Sequence, residues 1–125
     1  MGKMQRTKGQ VGEREFAKII EQAFGVECKR RINQTRDSGH DLDFIDYAVE
    51  IKRAKKPNIN SWWEQAYFNA KMVNKKPMLA YRLDNQKWKI LLSYDEVLHR
   101  SEETSHYLTM ELPTWIYYIE SSRLQ

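Results

Sequence analysis

Glu50 and Lys52 flank a single isoleucine in the run Val49-Glu50-Ile51-Lys52, and Asp41 and Asp43 lie shortly upstream in His40-Asp41-Leu42-Asp43-Phe44. In an extended chain, side chains two apart share a face. Glu50 and Lys52 then point one way, and Val49 and Ile51 the other. Leu42 and Phe44 alternate with Asp41 and Asp43 in the same manner. Two neighbouring strands of this pattern gather carboxylates and one ammonium above an apolar layer. Clustered carboxylate oxygens are what a hard divalent cation such as Mg2+ or Mn2+ needs. An ammonium beside them can offset the charge that develops on a phosphate under attack.

The elements that must position these groups can be read from periodicity. A helix is expected from about Gln10 to Phe24, closed by Gly25 as its C-terminal cap. Its apolar stripe is Phe16, Ile19, Ile20, Ala23 and Phe24. Glu13 precedes Phe16, Ala17 and Ile20 at helical spacing and so lies on that inward stripe, whereas Glu15 falls on the polar side with Lys18 and Gln22. An inward carboxylate has a cost unless it has a partner; the alternative is that Glu13 serves only the helix dipole. Val26–Ile32 reads as an edge strand and Asn33–Gly39 as a polar loop. The two acidic strands follow, joined by a tight turn near Asp46-Tyr47. A two-residue turn there would set Asp43 opposite Glu50 and Asp41 opposite Lys52.

A second helix, capped by Asn60 or Ser61, runs to about Asn74 with Trp62, Trp63, Ala66, Ala70 and Val73 inward. Pro77 marks a break. A hairpin of Met78–Leu83 and Lys87–Leu92 comes next, then a short helix capped by Ser93. A strand at Tyr107–Leu112 and a short helix or edge at Thr114–Ile119 complete the chain. Helix, strands, helix, strands implies a mixed α/β domain.

The chain has 125 residues, 41% of them hydrophobic, enough for one domain with one core. Residues 1–9 read as a basic, mobile arm, and residues 93–125 as a C-terminal extension that packs on the core or forms a dimer surface. Trp115-Ile116-Tyr117-Tyr118-Ile119 is the apolar part of that extension. No apolar run approaches the ~18 residues that span a bilayer, so no membrane is expected. The single Cys28 excludes an internal disulfide and suits a reducing, cytoplasmic setting. Net charge is +4, and residues 1–60 hold all of the excess, with 13 Lys and Arg against 9 Asp and Glu. A basic surround of an acidic cluster suits a polyanion whose phosphate must reach a cation.

Four features occur in a fixed order: Glu13 on an opening helix, Asp41 after Gly39-His40, Glu50-Ile51-Lys52 on the next strand, and Gln65 on the second helix. The set resembles the PD-(D/E)xK nuclease superfamily. Lys8-Gly9-Gln10-Val11-Gly12-Glu13-Arg14 is similar to the K-G-x-x-x-E-R opening of archaeal-type Holliday-junction resolvases, and Glu64-Gln65-Ala66 to the E-Q-A of their second helix. Similar small nucleases occur in phages and prophages. The resemblance covers roughly residues 8 to 92.

It implies a restriction-endonuclease-like core, a mixed central β-sheet flanked by helices. It also implies a metal-dependent, structure-selective DNA endonuclease, most like a Holliday-junction resolvase that makes paired nicks with 5′-phosphate products. Asp41 and Glu50 would hold Mg2+ or Mn2+ with the Ile51 carbonyl, and Glu13 directly or through water; Asp43 is an alternative ligand. Lys52 would orient the attacking water, and Gln65 would steady it from the second helix. His40 stands where the family has proline. Lys8, Arg14, Arg30, Arg31, Arg36, Ser38, Arg53, Lys55 and Lys56 would contact DNA. They are phosphate-positioning types that favour structure over sequence. A homodimer is expected, because junction resolution needs two cuts. Two other readings stand beside it: the same chemistry on flaps, ends or duplex, and a non-catalytic DNA-binding module on the same fold.

Overall fold

The computed structural model describes residues 2–30, 39–100 and 105–124, with side chains for residues 9–28, 39–100 and 105–124. Helix α1 spans Gly2–Phe24 and ends where Gly25, at φ 67°, donates its N–H to Glu21 O at 2.9 Å. The cap is where the glycine placed it. The start is not: the backbone of Gly2–Gly9 is helical rather than a separate arm. Lys, Met, Gln and Arg are good helix formers, and a glycine inside a helix, here Gly9, costs only about 1 kcal/mol.

Strands β1 (Lys29–Arg30), β2 (Leu42–Phe44) and β3 (Tyr47–Ala54) form antiparallel pairs, and α2 (Ile59–Met72) crosses over to β4 (Lys76–Leu83), which runs parallel to β3. Strand β5 (Lys89–Ser93), helix α3 (Tyr94–Val97), strand β6 (Tyr107–Glu111) and helix α4 (Leu112–Ser122) follow. Among the described residues the six strands lie in sequence order, and only β3–β4 is parallel. Pro77 is the second residue of β4 rather than a break before it. Ser93 caps α3 by accepting from Glu96 N.

The alternation in β3 sorts the two faces. Val49 and Ile51 join Phe16, Ile20, Leu42, Phe44, Ile90, Trp115 and Ile119 in the core beneath α1 and α4. On the other face, Trp63 and Ala66 of α2 pack on Leu79, Tyr81 and Leu91. Glu50 and Lys52 belong to this second face, beside Leu79 and Tyr81 in the parallel register. The C-terminal extension is part of the core: Trp115 and Ile119 are fully buried, and Trp115 meets Phe16, Phe24 and Phe44. Burying both removes them as a dimer surface. Arg123 closes the arrangement, donating to Glu96 at 3.0 Å and to Tyr47 Oη at 2.7 Å.

The β2–β3 turn consists of Ile45-Asp46, one residue earlier than expected, because Tyr47 is already a strand residue, fully buried and paired with Phe44. Ile45 takes the left-handed conformation, φ 54°, in consequence. The register changes accordingly: Asp43 lies opposite Ala48, not Glu50. Continued one residue past Leu42–Val49, the same register sets Asp41 opposite Glu50.

Candidate active site

Strand β2 stops at Leu42, and Asp41 takes over the ladder beyond it. Its backbone N–H donates to Val49 O at 2.9 Å, and its Oδ2 accepts the Ile51 N–H at 2.8 Å. The side chain thus occupies the place where the next carbonyl of a longer strand would sit, and among the described residues Oδ1 accepts no hydrogen bond. Gly39, at φ 79°, lets the chain turn into this position. Glu50, across the ladder, is only 3% exposed. Its Oε1 accepts from Asn69 Nδ2 of α2 at 3.3 Å, and its Oε2 lies 3.7 Å from Lys52 Nζ.

Burial pushes the Asp41 carboxyl up to about 8, and the Glu50 charge adds to the shift; the Ile51 N–H opposes it, and Glu13 pushes further upward. Burial also raises Glu50, against the pull of Lys52 and Asn69 and with a further upward push from Glu13. Three carboxylates therefore repel one another at one place: Asp41, Glu50 and Glu13 on α1. Such repulsion is what a bound cation relieves. Among the described residues, no three His, Cys, Asp or Glu side chains are close enough to enclose an ion. A donor set of two carboxylates, one backbone carbonyl and otherwise water or phosphate oxygens suits Mg2+, which keeps several waters and seldom takes an all-protein cage. The residues present fit such an ion.

Asp43 has other partners. It shares the face but accepts from Lys75 Nζ at 2.7 Å and meets His40 Nε2. Burial alone would raise its carboxyl, but Lys75 and His40 outweigh that and hold it below the ordinary carboxylate range. His40, 1% exposed, is thus a buried neighbour of Asp43 and not a loop group facing outward.

Gln65 is exposed on α2, and among the described residues no contact joins it to the carboxylates. Asn69, one turn later, makes that contact instead. Its signal in the sequence is a polar residue beside the inward Ala66 and Ala70. Glu15, read as a polar-face residue, accepts from Arg82 Nη1 at 2.9 Å and from Trp88 Nε1 at 2.7 Å, and so ties α1 to β4 and to the residue just before β5. Arg53 lies on the face opposite Lys52, 3.8 Å from Glu15 and from Asp84. It is a structural ion pair as well as a candidate DNA contact.

Lys55, Lys56 and Arg14 are exposed. Lys8 and Arg30 are described in backbone only, and Arg31, Arg36 and Ser38 lie outside the described residues. Cys28 is buried, and burial, then Glu21 and Asp43, raise its thiol to about 11, which leaves it unreactive near neutrality. A cleft of about 520 Å3 between α1, the β4–β5 turn and the start of α4, lined by Ile19, Trp88 and Leu112, contains none of the candidate residues.

The fold has a solved counterpart. Hjc, a Holliday junction resolvase from the archaeal hyperthermophile Archaeoglobus fulgidus, aligns over 90% of this chain and 88% of its own, with 18% identity and a TM-score of 0.50. At that identity the likeness establishes the restriction-endonuclease-like fold. No curated protein sequence matches the chain. The model of the family described as "Phage putative PDDEXK endonuclease" matches residues 4–120, nearly the whole chain, with Asp41, Glu50 and Lys52 inside the match. The chain belongs to that PDDEXK endonuclease family.

Proposed function

We propose that the protein is a metal-dependent endodeoxyribonuclease that cuts branched DNA, with the four-way junction as its preferred substrate and paired 5′-phosphate nicks as its product. The observation that carries the chemistry is the pairing of Asp41 with Glu50 at the end of the short β2 strand, with Lys52 beside them. Asp41 Oδ1, Glu50 and the Ile51 carbonyl would hold Mg2+ or Mn2+, and Glu13 would join directly or through water. When bound, the ion supplies a Lewis acid and lowers the pKa of its water.

The chain's own groups do the rest. The Ile51 N–H fixes the Asp41 carboxylate, and Asn69 fixes Glu50. Lys52, about one quarter exposed, reaches past Glu50 to the surface, where its ammonium can face the scissile phosphate and orient the attacking water. Gln65, on the exposed side of α2 one turn before Asn69, would contact the water or the substrate rather than the carboxylates. Exposed Arg14, Lys55 and Lys56 supply backbone contacts, as would Lys8, Arg30, Arg31, Arg36 and Ser38; Arg53 contributes charge from within its ion pairs. The fold shared with the Archaeoglobus junction resolvase and the phosphate-positioning character of the candidate DNA contacts support a branched substrate.

Cleavage of four-way junction, flap, linear duplex and single strand at one protein concentration, with Mg2+ or Mn2+, tests the proposal. Junction cutting that disappears in Asp41→Asn and Glu50→Gln is expected. Equal cutting of all substrates would refute the junction preference, and cutting that survives both substitutions would refute the site.

A further inference from the structure

The two tryptophans at the start of α2 are not equivalent. Trp63 is 2% exposed and donates its indole N–H to Ser105 O at 2.6 Å. Trp62, expected inward with it, lies on the flank of the helix and is only partly buried. Trp88 and Trp115 are buried too, so among the described residues Trp62 is the tryptophan that solvent reaches. Its flank is the one that faces the carboxylates. Asn69 follows seven residues later, two helical turns on, and so lies on the same side; it donates to Glu50 at 3.3 Å. The Trp62 ring sits 5.7 Å from that of Tyr81, tilted by 49°. Tyr81 pairs with Lys52 across the parallel β3–β4 ladder. Paired residues point to one face of the sheet, and neighbouring strands are about 4.8 Å apart. Trp62, Lys52, Glu50 and Asn69 thus border one groove between α2 and β3. Exposed Lys55 and Lys56 stand in the connection from β3 to α2.

We infer that Trp62 selects branched DNA by stacking its indole on a nucleotide base beside the scissile phosphate. The inference rests on the cleavage reading above, in which Lys52 marks where that phosphate lies. A base inside a continuous duplex has both faces covered by its neighbours. Where a strand leaves the duplex, one base face is bare, and a planar side chain can cover it. Such stacking is tolerant of sequence, because every base has a π-face. An aromatic platform beside a basic flank is the pattern by which proteins hold unstacked strands, and Lys55 and Lys56 supply that flank. Tyr81 supports the indole from the sheet, so little side-chain freedom is left to lose on binding. The preference for a branch then comes from a bare base face and not from the reading of base edges.

Equilibrium binding of the full chain in EDTA separates recognition from cleavage. Tryptophan emission and binding are read for a four-way junction and for a linear duplex of the same length. The junction is expected to quench the emission more than the duplex does, and Trp62→Phe to remove that quenching while keeping most of the junction affinity. Trp62→Ala should weaken junction binding by about 5- to 100-fold and leave duplex binding unchanged. Trp62→Leu keeps an apolar contact with Tyr81 but has no stacking plane, and it should lose the preference in the same way. Melting curves establish that each variant is folded. Quenching that persists in Trp62→Phe, or a junction-to-duplex affinity ratio that Trp62→Leu leaves at the wild-type value, would overturn this inference alone. A wild type that binds both substrates equally would overturn the branched-substrate reading with it.

Discussion

Asp41 combines two demands that oppose each other at the level of a single residue. It completes the β2–β3 ladder through the Ile51 N–H, yet it is buried beside Glu50 and under the charge of Glu13. A carboxyl with a folded pKa of about 8, against an ordinary 3.8, binds more protons folded than unfolded. Without metal, its contribution to stability is therefore fully present below 3.8 and declines as pH rises from there through about 8. Asp41→Asn removes this dependence. In EDTA, its melting temperature should gain on the wild type steadily from pH 4 to pH 8, and a gap constant across that range would count against the repulsion. Asn69 is the other residue with a sharp expectation. Its hydrogen bond orients Glu50 without reaching the substrate, so Asn69→Ala should lower Mn2+ affinity and cleavage together, by roughly 10- to 100-fold. Calorimetry alongside the cleavage rate checks this; unchanged affinity would assign Asn69 a packing role only.

At the scale of elements, α1 and β3 approach closely because of one glycine. A Cβ on Gly12 would lie 2.6 Å from Arg53 Cγ, whereas one on Gly9 would meet nothing within 4 Å. Gly12→Val should therefore destabilise by about 1–3 kcal/mol through overpacking, and Gly9→Ala should stabilise by roughly 0.5–1 kcal/mol through helix propensity. Urea unfolding of the two variants measures both; the same sign for both would contradict the packing described. Much of this level was legible in the sequence. The period-two alternation put Glu50 and Lys52 on the face away from Val49 and Ile51, and Gly25 and Ser93 capped their helices. What escaped was set by tertiary contact. The turn fell at Ile45-Asp46 because the core claims Tyr47, and no local signal tells a buried tyrosine from a turn tyrosine. The neutralisation of Asp43 came from Lys75, 32 residues away. Asn69 displaced Gln65 beside Glu50 because the crossing of α2 over the sheet, not the helix sequence, decides which turn overlies Glu50.

Among the described residues the molecule is one sheet with α1 and α4 on one face and α2 on the other, and Asp41 and Glu50 come together where β2 begins beside β3. Residues 93–120 lie inside the family match, and Trp115 and Ile119 of this segment finish the core. The excess of positive charge in residues 1–60 predicts binding dominated by interactions with phosphates. Junction binding in Ca2+ or EDTA should weaken steeply with salt, and Lys55→Ala with Lys56→Ala should reduce the slope of log K against log salt by about 2, one for each phosphate that the two lysines neutralise. An unchanged slope in a salt titration would remove these lysines from the interface. The central claim is more local, and a crystal grown with Mn2+ tests it most directly through anomalous scattering. A Mn2+ peak bridging Asp41 and Glu50 beside the Ile51 carbonyl is the predicted result. A peak at Asp43 instead, or none at this end of β2 with the ion saturating, would contradict it.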